Sequence, residues 1–230
     1  ANVLITSGSQ QALDLIGKLL INPGDRLLVE APTYVGALQA FNSYEARYLT
    51  VPLDGDGLQV DKLEQELRSG PKFLYVLPNF HNPAGTTLTV ERRNRLVELA
   101  SHYGVPILED DPYGQLRYEG EHQPPLVEID SEYHGERAGK AAAGGRFRGG
   151  VIYLSSLSKT LAPGLRIAWV VAPTDVIGRL VQIKQGADLH TSTFNQMVAF
   201  ETARGGFLDH HVKVLRDFYR QRRDAMLEAL

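Results

Sequence analysis

Residues 151–171 read VIYLSSLSKTLAPGLRIAWVV. Val151 to Leu154 is a short apolar run with the β-branched and aromatic content of a buried strand. It runs into Ser155, Ser156 and Ser158, Lys159 follows, and a second apolar run, Ile167 to Ala172, begins directly after Arg166. The pattern hangs a lysine, two or three hydroxyls and an arginine in one loop between two core strands. A lysine in such a place can be partly desolvated, which lowers its pKa and makes the amine a nucleophile toward a carbonyl. Hydroxyls and a forked guanidinium a few residues away suit a phosphate. An amine beside an anion pocket is what a phosphorylated aldehyde cofactor requires. The other reading of these residues is a solvated basic loop, and the rest of the chain has to choose between the two.

On either side of this stretch, strand and helix patterns alternate. Strands are expected at Val3–Thr6, Arg26–Glu30, Arg47–Val51, Phe73–Leu77 and Pro106–Glu109. Helices are expected at Gln11–Leu20, Val35–Asn42, Val60–Leu67 and Thr89–Tyr103, the last rich in Glu/Arg pairs. Pro23-Gly24-Asp25 and Asp54-Gly55-Asp56-Gly57 punctuate them. Such alternation points to an α/β fold, a mostly parallel sheet with helices on both faces. In such sheets ligands bind at the carboxyl ends of the strands.

Three further strand-ending loops carry polar groups. Ser7-Gly8-Ser9-Gln10 opens a helix, where free amides and a positive helix end favour an anion; a plain helix cap is the alternative. Pro78-Asn79-Phe80-His81-Asn82-Pro83-Ala84-Gly85 is a Pro/Gly turn or a ligand loop. Glu109-Asp110-Asp111-Pro112-Tyr113 sets three carboxylates at the end of a buried strand, which is costly unless one meets a cation. A metal is conceivable there, but no His or Cys at metal spacing accompanies the acids, and none is expected.

Composition sets the outer bounds. The chain has 230 residues with 43% hydrophobic and 22% charged content, enough for one large core. A net charge of −3 gives no reason to expect nucleic acid or an anionic membrane as partner. There is no cysteine, so disulfides and thiolate metal sites are excluded. No apolar run is long enough to span a bilayer. A cytoplasmic location is the expectation.

Five pieces occur together and in order: TSGSQQAL (6–13), APTY (31–34), PNFHNPAG (78–85), EDDPYG (109–114) and SLSKTLAPGLRIAW (156–169). With them the chain resembles the cofactor-binding large domain of a fold type I, pyridoxal-phosphate-dependent class I/II aminotransferase. The phrases GSQQALDLIGKLLINPGD, EDDPYGQLRY and DLHTSTFNQ bring it nearest the 2-aminoadipate subgroup. The resemblance implies transfer of an amino group between an amino acid and a 2-oxo acid, in a homodimer. Lys159 would form the internal aldimine and move the proton between the substrate α-carbon and C4′ of the cofactor. Asp110, three residues before Tyr113, would face the pyridine nitrogen, with Asp111 turned the other way by strand alternation. Tyr113 and Asn82 would bind the phenolic oxygen and Tyr34 would stack on the ring. Gly8, Ser9, Gln10, Ser156, Ser158 and Arg166 would hold the phosphate. His81 departs from the glutamine of the nearest subgroup and is expected on the substrate side.

Some of the sequence lies outside that pattern. Ser131 to Gly150 is rich in Gly, Ala and Arg and reads as an exposed, mobile insertion whose basic cluster is Arg137, Lys140, Arg146 and Arg148. Arg216, Arg220, Arg222 and Arg223 read as the solvated face or hinge of a final helix, Phe207 to Leu230. Asp188–Ser192, Asn195 and Gln196 are expected near the site or a dimer neighbour. Both ends look cut: an N-terminal arm and a C-terminal small domain are expected outside residues 1–230, and this piece alone is expected to be inactive or weakly active. Two other functions remain open, a pyridoxal-phosphate-dependent carbon–sulfur lyase and the ligand-sensing domain of a GntR-type transcription regulator.

Overall fold

A computed structural model describes residues 1–138 and 149–230. In chain order the elements are β1 (Val3–Thr6), α1 (Ser9–Leu20), β2 (Arg26–Ala31), α2 (Val35–Asn42), β3 (Arg47–Asp54) and β4 (Gly57–Leu58). Then come α3 (Leu63–Arg68), β5 (Leu74–Val76), α4 (Val90–Tyr103), β6 (Ile107–Asp110), α5 (Leu126–Ala138), β7 (Val151–Ser156) and β8 (Ala168–Val171). α6 (Thr174–Asp188), α7 (Thr193–Ala203) and α8 (Phe207–Ala229) close the chain. The strands form one sheet in the order β1-β8-β7-β6-β5-β2-β3-β4. β3, β2, β5, β6 and β7 are parallel neighbours, and β8 runs antiparallel to both β7 and β1. β1 therefore points the same way as β7. The loops that follow β1, β2, β5, β6 and β7 all leave from one edge of the sheet.

Period-two alternation sorts the strand residues onto two cores. Leu27, Val29, Tyr75, Leu77, Leu108, Ile152 and Leu154 pack with α1, α2 and α6 on one face. Leu28, Leu74, Val76, Ile107 and Val151 pack with α3, α4 and α5 on the other. Buried strands of this kind are nearly continuous apolar runs, which makes them readable in the sequence. α4 begins at Thr89, whose hydroxyl accepts the Arg92 amide at 3.4 Å, and ends at Gly104 in the left-handed region (φ 65°). Among the described residues no helix is long and apolar enough to cross a membrane.

One expectation is corrected here. Ser131 to Ala138 continue α5 rather than beginning an irregular insertion. The apolar residues that α5 packs on the core, Leu126, Val127 and Ile129, lie at its start with only Tyr133 beyond them among the described side chains, so periodicity did not carry the helix through Ala138. Residues 139–148 lie outside the described residues, and with them the rest of the expected insertion and most of its basic cluster.

Candidate active site

The loops at the common sheet edge enclose a cavity of about 290 Å³. Its walls include Ser9, Gln10, Tyr34, Asn82, Asp110, Tyr113, Ser156, Ser158, Lys159 and Arg166, residues drawn from both ends of the chain. The sheet order makes this possible: β1, β7, β6, β5 and β2 deliver their carboxyl ends side by side, with only β8 between β1 and β7.

The three acids at the end of β6 find three different partners. Glu109 points to the α4/α5 face, where its carboxylate accepts the Leu126 and Val127 amides at 2.8 and 3.0 Å and so caps α5. Burial nevertheless pushes it up to about 8. Asp111 accepts the Gly114 amide at 2.9 Å and closes the following turn. Asp110 shares its face with Tyr75, which donates its hydroxyl proton to Oδ2 at 2.8 Å. Burial pushes Asp110 up to about 7 against the pull of that hydrogen bond. Its Oδ1 is buried and has no partner among the described residues. No group of His, Cys, Asp and Glu suited to a metal occurs among the described residues.

Lys159 sits in the turn that joins β7 to β8. Its ammonium lies 5.8 Å from the centre of the Tyr113 ring. The residue is exposed while lining the cavity. The hydroxyls around it divide their work. Ser155 donates to the Asp111 carbonyl at 2.8 Å, while Ser156 accepts the Ser158 amide at 2.9 Å and so shapes the turn. Arg166 takes a left-handed conformation (φ 51°) that sends its guanidinium across to Gly8. Gly8 itself has φ 92° and caps α1, and a Cβ there would overlap the guanidinium. Only glycine meets both demands.

Opposite, Tyr34 precedes α2 and is half-buried. Two residues on, a Cβ at Gly36 would come within 2.5 Å of the Tyr34 ring. Gln10 turns its carboxamide to the Gly36 carbonyl at 2.8 Å, so that side chain braces α2. Burial, together with the nearby Tyr34 phenol, raises Tyr113, and the adjacent Asn82 carboxamide pulls the other way by hydrogen bonding.

The family model described as Aminotransferase class I and II matches residues 1–230. The chain belongs to this aminotransferase family. It is 48% identical over its whole length to aromatic-amino-acid aminotransferase 1 of Thermococcus litoralis, covering 52% of that protein. To the 2-aminoadipate transaminase of Thermus thermophilus it is 44% identical over 99% of its length, covering 54% of that protein. The crystal structure of the α-aminoadipate aminotransferase LysN from Thermus thermophilus, complexed with N-(5′-phosphopyridoxyl)-L-leucine, matches with a TM-score of 0.90. That match has 43% identity and covers 100% of this chain and 56% of the other. The chain thus spans about half the length of the curated relatives it matches.

Several residues of this aminotransferase-family chain lie where sequence reasoning did not put them. His81, expected on the substrate side, does not wall the cavity. It is buried, 1% exposed, with Nε2 3.2 Å from Glu30 Oε2. Its Nδ1 accepts the Ala84 amide at 3.2 Å, which leaves the ring proton on Nε2, facing Glu30. Arg93, in the helix rich in Glu/Arg pairs, is fully buried. It donates to the carbonyls of Leu88, Pro78 and Pro124 and to Asn79 Oδ1, all within 3.0 Å. The only cue was position: Arg93 falls one turn before the buried Leu96 and Val97. Asp188 and Thr191 reach the Ser7 hydroxyl, while Asn195 donates to the Leu165 carbonyl at 3.0 Å. On α8, Arg216 and Arg223 bind back to Gln115 and Glu119.

Proposed function

We propose that the protein containing this chain is a pyridoxal-phosphate-dependent aminotransferase, exchanging an amino group between an amino acid and a 2-oxo acid. The observation that carries the reading is that one cavity is walled by Lys159, Asp110 and Arg166, the last with its guanidinium lying against Gly8. Two features fit the cofactor. The unpartnered Asp110 Oδ1 suits a protonated pyridine nitrogen. The helix α1 N-terminus, approached by a guanidinium, suits a phosphate. Family membership and relatives named as aminotransferases support the same assignment.

When bound, pyridoxal phosphate supplies an aldehyde for the substrate nitrogen and a ring that takes up the electron pair released at the α-carbon. Asp110 holds the proton on the ring nitrogen, and its burial strengthens that charge pair. Tyr113 and Asn82 bind the phenolic oxygen, and Tyr34 covers one ring face. The amides after Gly8, with Ser156, Ser158 and Arg166, hold the phosphate. Lys159 is the base that moves the proton at the α-carbon. Exposed Phe194 and Met197 on α7, 75% and 52% accessible, support a homodimer. The cytoplasm is its expected place.

The test is a two-stage assay on the full-length protein. Borohydride treatment in the presence of pyridoxal phosphate should leave a covalent adduct at Lys159 on peptide mapping. Aromatic amino acids and 2-aminoadipate, the substrates in the relatives' names, should be converted only when a 2-oxo acid is supplied. Ammonia and pyruvate released without a 2-oxo acid point to the carbon–sulfur lyase instead. Cofactor binding with no turnover points to a ligand-sensing domain.

A further inference from the structure

Behind the turn Ser7–Ser9 lies a set of polar side chains, Lys184 and Thr191 buried and Ser7, Gln11 and Asp188 half-buried, that do not wall the cavity. Lys184 on α6 is 4% exposed. Its ammonium donates to both oxygens of Asp188 at 2.7 Å and to Gln11 Oε1 at 3.0 Å. Gln11 Oε1 also accepts the Ser7 amide at 2.8 Å, while Gln11 Nε2 donates to Asp188 Oδ2 at 2.7 Å. The Ser7 hydroxyl donates to the same carboxylate oxygen at 3.1 Å and lies 3.3 Å from Thr191 Oγ1. Thr191 in turn donates to the Ile5 carbonyl at 3.3 Å.

A buried ammonium costs several kcal/mol unless its partners repay the lost hydration. The hydrogen bonds satisfy it, but apolar residues could join α6 to α1 without that cost. What the polar set adds is grip on one backbone residue. Ser7 is held at its amide and at its hydroxyl, and the next residue is Gly8, whose φ of 92° opens α1 at Ser9 and Gln10, both of which line the cavity. Burial alone would raise Asp188, but the hydrogen bonds from Gln11, Lys184 and Ser7 outweigh it and keep the carboxyl below its usual range. An uncompensated carboxylate behind an anion site would repel the anion. Lys184 supplies the opposite charge at 2.7 Å.

We propose that Lys184, acting through Asp188, Gln11 and Ser7, is the positioning residue of the phosphate-binding turn, setting the Gly8–Ser9 backbone without touching the ligand. This rests on the reading of the cavity as a pyridoxal phosphate site. It is tested on the full-length apoprotein by fluorescence titration with pyridoxal 5′-phosphate and with pyridoxal, which lacks the phosphate. Lys184→Met should weaken pyridoxal phosphate about tenfold, the loss expected for one charge-assisted hydrogen-bond set, and leave pyridoxal unchanged. The double variant Lys184→Met/Asp188→Leu carries no unpaired buried charge. It should show the same selective loss, because Ser7 is no longer held. An unchanged ratio in both variants, or equal weakening of both ligands, overturns the proposal while leaving the cofactor assignment standing. If the unaltered protein fails to prefer the phosphorylated aldehyde, both fall together.

Discussion

Tyr75 donates to Asp110 Oδ2 at 2.8 Å, and this one bond determines which carboxylate oxygen is left over for the cavity. Tyr75 is itself fixed, fully buried with its ring edge-on to Phe41 at 5.8 Å. The acid is thereby held in one rotamer by the hydrophobic core. Burial weakens its ionisation there and would strengthen any pairing with a cation.

That burial has a measurable consequence in the absence of ligand. The folded chain holds the Asp110 proton up to about pH 7, while the ordinary value is 3.8. A raised folded-state pKa contributes stability that is full below the unfolded value and lost as pH rises through the folded one. The whole difference amounts to roughly 4 kcal/mol. Asp110→Asn cannot titrate, so the fall in the urea midpoint of the apoprotein between about pH 5 and pH 7.5 should be smaller than in the unaltered protein. Glu109, raised to about 8, has the same sign and leaves a residual slope. Equal slopes would count against a buried, titrating Asp110.

Gly36→Ala should separate binding from stability. The added Cβ meets only the far side of the Tyr34 ring, which can swing away. α2 gains helix propensity of about 0.5–1 kcal/mol. Thermal melts should therefore change little, while cofactor affinity drops about tenfold through the displaced ring. A variant that binds normally would remove Tyr34 from the ring-stacking role.

Arg93 should behave as a structural pin. Arg93→Met takes one donor away from each of the Leu88, Pro78 and Pro124 carbonyls and from Asn79 Oδ1, and removes the cation that faces Glu109 and Asp111. The expected loss is about 3–5 kcal/mol, or a melting temperature lower by roughly 10 °C. Arg93→Lys keeps the charge but cannot span four acceptors, so it should recover only part.

His81→Ala leaves Glu30 at 3% exposure without its imidazole, and should cost about 2–3 kcal/mol in urea unfolding. Glu30→Gln/His81→Gln removes the buried charge and keeps a donor–acceptor pair, and should recover most of that loss. A surface residue lining the substrate path would show no such recovery, since its loss would appear in KM.

Local pattern carried most of the architecture into view. β-branched runs, the Pro23-Gly24-Asp25 break and the Thr89 and Gly104 caps mark their elements whatever the rest of the chain does. β4 and the helical stretch Ser131–Ala138 were missed because neither has a period: β4 is a two-residue hairpin return, and most of the apolar residues of α5 lie before Ser131.

The site was legible as a set of loops, because strand ends can be found one at a time and their lysine, acids and glycines carry recognisable chemistry. Strand alternation separated Asp110 from Asp111, but the direction of Arg93, His81 and Lys184 was not legible. Arg93 and a solvated arginine look the same in a helix rich in Glu/Arg pairs, as do His81 and a substrate-facing histidine in a Pro/Gly loop. Which side a charge takes depends on acceptors brought from far along the chain: Pro124 for Arg93, Glu30 for His81, Gln11 for Lys184. A charge can be buried only where such partners replace its lost hydration, and the order of strands in the sheet and the packing of helices against it set where they arrive.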